Sequence, residues 1–155
     1  MNSNINETID TLNHLTEILK DGEHGFRTAA KDVKAPELAV IFERYATQRA
    51  EFASTLQAHV SNLGAKVEQS GSIAGDLHRG WINLKAALST NEAHAVLVEA
   101  GHGEDVAVVA YEKAIKDRNI DQPTRVLLNG QYTEIKAAHE HVCTLRDSSK
   151  YAKVA

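Results

Sequence analysis

The stretch from residue 4 to residue 33, NINETIDTLNHLTEILKDGEHGFRTAAKDV, decides the fold. Its apolar residues Ile5, Ile9, Leu12, Leu19, Phe26, Ala30 and Val33 recur at alternating three- and four-residue steps. That spacing lays them along one face of a long amphipathic helix, as a heptad-like seam for packing against other helices. Asn4, with Glu7 three residues on, reads as its N-terminal capping pair. Two positions of the same register are polar, Thr16 and Glu23.

Working outward, the same pattern recurs three times. Pro36 suits the first turn of a second helix, about 36–63, which Gly64 ends. Its seam is Leu38, Phe42, Tyr45, Phe52, Leu56, Val60 and Leu63, with Arg49 in register. Residues 65–72 read as a loop, and a shorter helix is expected over about 73–88 with Leu77, Trp81, Leu84 and Leu88. Ser89 and Glu92 form a capping-box pattern, so the next long helix spans about 90–117, with Leu97, Gly101, Glu104, Val108, Tyr111 and Ile115 on its seam. Asp121 caps the last helix, about 122–148, and Pro123 sits in its first turn; Leu128, Ile135, Val142 and Leu145 face inward.

Four helices of matched length are joined as two short-turn hairpins by one long connection. This is the layout of an all-α, ferritin-like four-helix bundle, with a crossover that carries a short extra helix. The 155 residues suit a single domain. Two prolines and few aromatics favour helix over sheet. Net charge is -4 and no basic run occurs, which argues against a nucleic-acid partner. No apolar run is long enough to span a membrane. A single cysteine, Cys143, and a polar N-terminus without a leader pattern point to the cytoplasm.

Glu23 and Glu104 are the informative carboxylates, because both fall on seams where apolar residues belong. A buried carboxylate is costly unless it is paired or bound to a metal. Di-metal bundles turn one Glu inward from each of two helices and a Glu-x-x-His from each of the other two. Glu23 and Glu104 fit the first role, or either pairs with Arg49. The second role is incomplete: Ser54 follows Glu51 and Ala137 follows Glu134 where histidine is needed. Reflection through the hairpin turns lands Glu23 near Gln48, with Glu51 one turn further on, and Glu104 near Ala138 and His139, with Glu134 in range and Gln131 a turn away. Glu23, Glu51, Glu104, Gln131, Glu134 and His139 are thus the candidate metal ligands, an oxygen-rich set suited to iron or manganese. Glycines flank both seam carboxylates, in Asp21-Gly22-Glu23-His24-Gly25 and Gly101-His102-Gly103-Glu104-Asp105. Each mid-helix glycine costs roughly 1 kcal/mol against alanine, so a shared local demand is expected: close helix approach, a π-bulge or a kink.

The run Leu77-His78-Arg79-Gly80-Trp81 with Leu84-Lys85 resembles the bacterial Domain of Unknown Function family 2383. So do Gly22 to Phe26, Gly103-Glu104-Asp105 with Tyr111, and Gln131 with His139 and Leu145-Arg146. The resemblance extends over about residues 5–147. It implies a ferritin-like bundle and names no activity. On the crossover, His78 and Arg79 are placed to cap a helix end or to bind a carboxylate.

The first functional reading is a non-catalytic bundle, a stress-related or partner-binding module that self-associates through its helix faces. The alternative is a divalent-metal protein, of iron or manganese, with redox or storage activity.

Overall fold

A computed structural model describes residues 2–66 and 77–152. Among the described residues there are five α-helices: α1 (Asn2–Asp32), α2 (Pro36–Asn62), α3 (Leu84–Ser89), α4 (Ala93–Lys116) and α5 (Gln122–Asp147), followed by a short 3₁₀ turn at Ser149–Tyr151. There is no strand among the described residues. No helix there is long and apolar enough to cross a membrane.

α1 pairs with α2 and α4 with α5, each across a short turn, and α1 also packs along α4. Thr8 donates to the Asn119 carbonyl and His59 bonds Thr124, which puts the α4–α5 turn beside the start of α1 and the end of α2. At the opposite end the Tyr151 hydroxyl donates to Glu37, at the start of α2. α4 therefore begins at the end of the bundle where α2 begins. The connection after α2 travels the length of the molecule, and α2 and α4 run parallel.

The expected helix ends hold in part. Pro36 occupies the first turn of α2, and Gly64 follows its end with a φ of +89° that glycine adopts without strain. Asp121 accepts from the Thr124 backbone N–H at 2.8 Å. Two caps differ. The first helix already includes Asn2, so Asn4 lies inside it, and Glu7 accepts from Asn119 instead. Ser89 ends α3, with its hydroxyl donating to the Ala86 carbonyl, and Thr90 rather than Ser89 accepts from Glu92 N–H. α4 thus starts three residues later than the expected capping box places it. The crossover helix is also shorter than expected. Residues 77–83 are turns and irregular backbone, helix begins at Leu84, and 73–76 lie outside the described residues.

The interior divides into two apolar clusters. One gathers Leu12, Leu15, Leu19, Leu56, Tyr111, Leu128 and Ile135. The other gathers Phe26, Leu38, Phe42, Trp81, Leu84, Leu97 and Val142.

Candidate functional site

A charged pair sits deep in the bundle. Arg49, on the inward seam of α2, reaches across to Glu104 of α4. Nη1 donates to Oε1 at 2.5 Å and Nη2 to Oε2 at 2.8 Å, a two-pronged contact that matches guanidinium to carboxylate. The side chains are 1% and 0% exposed. Arg49 Nε donates to Gln48 Oε1 at 3.1 Å, and the guanidinium carbon stands 5.4 Å from the centre of the Phe26 ring. Among the described residues no buried side-chain polar atom lacks a hydrogen-bond partner. A buried pair with its remaining donors satisfied is tolerated, whereas either charge alone would be very costly.

The same interior holds three further polar contacts. Tyr111 donates to Gln131 Oε1 at 2.7 Å, and Gln131 Nε2 donates to the Phe52 carbonyl at 3.4 Å. Burial pushes the Tyr111 phenol up. Tyr45 meets His141 Nδ1 at 2.6 Å, its phenol raised by burial first and by the charge of Glu104 second.

The six expected ligands are dispersed. Glu104 is buried on Arg49. Gln131 is committed to Tyr111. Glu51 and Glu134 are exposed along a shallow groove between α2 and α5. His139 Nε2 lies 2.6 Å from Asp105 Oδ1 at the α4–α5 edge. Glu23 does not point inward: its carboxylate pairs with Arg27, one turn on, at 2.5 Å on the helix surface. Among the described residues no group of three or more histidine, cysteine, aspartate and glutamate side chains is arranged to hold a metal ion.

The crossover explains why Glu23 is displaced. At about 100° per residue, Glu23 stands about 40° past Leu19 on one flank, while Gly22, Gly25 and Ala29 fall on the other. The crossover covers that second flank. Arg79 Nη1 donates to Asp21 at 2.5 Å and Nη2 to Glu17 at 3.3 Å. Asp21 is therefore the buried carboxylate of that segment, its side chain 1% exposed. Arg79 and Gly80, with φ of +37° and +92°, make a left-handed turn that the Trp81 N–H closes on the His78 carbonyl.

Trp81 then drives its indole between α1 and α4. A methyl group at Gly25 or at Gly103 would overlap the indole ring outright. Gly80 approaches α4 so closely that a Cβ there would stand 2.8 Å from Gly103 Cα. The Phe26 ring meets the indole edge-on, 4.9 Å between centroids. Buried Glu99 accepts from Asn83 N–H at 2.6 Å and from the His102 ring at 2.8 Å, holding the far side of the turn. Gly25 and Gly103, one from each glycine-rich segment, thus share one demand, the slot for a tryptophan, while Gly22 lies beside Arg49 and Gly101 beside Arg146. The signal was present in the sequence as two glycine-rich segments and one isolated tryptophan, but only the topology shows that they meet.

No curated protein matches the chain. A family model described as Domain of unknown function (DUF2383) matches residues 7–117. That span takes in the tryptophan, its glycine walls and both members of the ion pair; Gln131, His139, Leu145 and Arg146 lie beyond it. The chain belongs to the DUF2383 family.

Proposed function

We propose that this protein is a ferritin-like bundle that has no catalytic centre and acts by association, with a second copy of itself, through its outer helix faces. The observation that carries this reading is the Arg49–Glu104 pair. Glu104, buried in the bundle interior, already has both carboxylate oxygens on a guanidinium, whose positive charge opposes any cation arriving there. Val40, Val109 and Val126, each more than 60% exposed on α2, α4 and α5, lie on the outer helix faces through which association is proposed. The single cysteine suits a reducing compartment, and the cytoplasm is the location we propose.

The test is elemental analysis of protein purified without a metal-affinity tag, together with its mass in solution by sedimentation. The expected result is no iron or manganese that depends on Glu104, and a mass above one chain. Near-stoichiometric iron or manganese, lost on Glu104→Ala in a folded variant, would overturn the non-metal reading. A monomer at all concentrations up to those in a cell would overturn association.

A further inference from the structure

We propose that the outer ridge of α2 docks antiparallel on the same ridge of a second copy of the chain, with Arg44 of each copy against Glu51 of the other. This rests on self-association of the chain and names the face that self-association uses. Val40, Arg44, Thr47, Glu51, Ser54 and Ala58 follow one another at three- and four-residue steps, and every one is exposed. At about 100° per residue they form one straight ridge, about 27 Å long. The ridge borders a groove of about 720 Å³ toward α5, which Phe52 and, from α5, Glu134 also line.

The order of charges along the ridge fixes both the occupant and its direction. Among the described residues the side chains of Arg44, Glu51 and Glu134 enter no ion pair or hydrogen bond, whereas the neighbouring Glu43 is held by Arg27. Arg44 and Glu51 stand two helical turns apart, about 10.5 Å, with Thr47 between them. A two-fold axis crossing the ridge between Thr47 and Gln48 carries Arg44 onto Glu51 and Glu51 onto Arg44. One contact is then made twice, as a self-complementary interface requires. Glu134, in the same groove, adds to the negative potential that an incoming guanidinium meets. Parallel docking fails, because it sets Arg44 on Arg44 and Glu51 on Glu51, and like charges across an interface repel.

The same axis sets Val40 opposite Thr55 and Thr47 opposite Gln48. Thr47, Ser54, Thr55 and Ala58 are small, which lets the two helices approach closely. Exposed ion pairs contribute little each, so the two Arg44–Glu51 pairs select register and direction. Covering Val40 and the half-buried Phe52 supplies the attraction.

Sedimentation equilibrium of the full chain, free of an affinity tag, tests the proposal with charge reversals. Arg44→Glu and Glu51→Arg each turn two attractions into two repulsions, so each should raise the dimer dissociation constant at least about tenfold. An equimolar mixture of the two variants should recover the dimer, because one chain then brings only glutamates to these positions and the other only arginines. The double variant Arg44→Glu/Glu51→Arg should dimerise like the wild type, and Val109→Asp, on α4, should leave the constant unchanged. Both reversed positions are exposed, and circular dichroism of each variant checks that the fold is kept. A wild-type dimer indifferent to both reversals overturns this docking and leaves self-association standing on another face. Loss in the single variants without recovery in the mixture overturns the antiparallel pairing. A wild-type chain that stays monomeric overturns both docking and self-association, and leaves the groove to a different protein.

Discussion

Glu104 keeps both carboxylate oxygens on Arg49, in a space closed to water. Replacing it with Gln preserves the shape and leaves the guanidinium buried with no counter-charge. We expect Glu104→Gln to lower unfolding free energy by about 3–5 kcal/mol, measured by denaturant titration. Glu23→Gln is the contrasting experiment. Glu23 pairs with Arg27 at a half-open surface position, and such pairs contribute about 0.5 kcal/mol or less. A loss above about 1 kcal/mol for Glu23→Gln would show that Glu23 is more deeply engaged than its surroundings imply. The seam pattern alone could not separate these two carboxylates. A heptad repeat treats the buried face as a straight stripe, and here the crossover pulls that face round toward Asp21 and Gly25.

At the scale of an element, the glycines of the helices divide by what lies beside them. Gly130, inside α5, has nothing within 4 Å of where a Cβ would stand. Gly130→Ala should stabilise by about 0.5–1 kcal/mol, since only the helix propensity changes. Gly25→Ala and Gly103→Ala place a methyl in the Trp81 ring, and overpacking of that kind costs about 1–3 kcal/mol. Thermal melts of the three variants check the sign at each position. The cap of α5 gives a pH-dependent counterpart. Thr124, by its side chain and its backbone N–H, holds the Asp121 carboxyl below its ordinary range. A depressed folded pKa contributes stability above the unfolded value of about 3.9, and loses it as pH falls through the lower folded value. Asp121→Ala should therefore cost about 1 kcal/mol at pH 7, with the gap to wild type narrowing below about pH 4. This cap was legible because Asp-x-Pro-Thr carries its own local chemistry. The start of α4 was not, because Ser89, Thr90 and Asn91 compete for the same turn, and Asn91, at φ +58°, closes it.

Across the whole molecule, the four long helices, their pairing and the long crossover could all be read from apolar spacing and turn residues. Two things could not: which segment fills the space between α1 and α4, and what a polar layer does between two apolar clusters. Spacing along one helix carries no record of a partner from a distant segment. The Arg49–Glu104 layer lies between the cluster around Leu56 and Tyr111 and the cluster around Phe42 and Trp81. Its attraction offsets a desolvation cost of several kcal/mol per ion, so the pair need not add net stability even though each half depends on the other. The double variant Arg49→Met/Glu104→Leu removes both charges and keeps apolar volume in the layer. We expect it to be as stable as wild type, or more so by up to about 4 kcal/mol, while each single change is strongly destabilising. Denaturant unfolding of the four proteins measures the coupling directly, because the two residues touch and their effects cannot add. If the double variant loses the sum of the two single losses, Arg49 and Glu104 act independently, each held by other neighbours. Recovery of stability together with loss of a single sharp transition would instead place the value of the pair in fixing one helix register, which near-ultraviolet dichroism of Trp81 and Tyr111 would report.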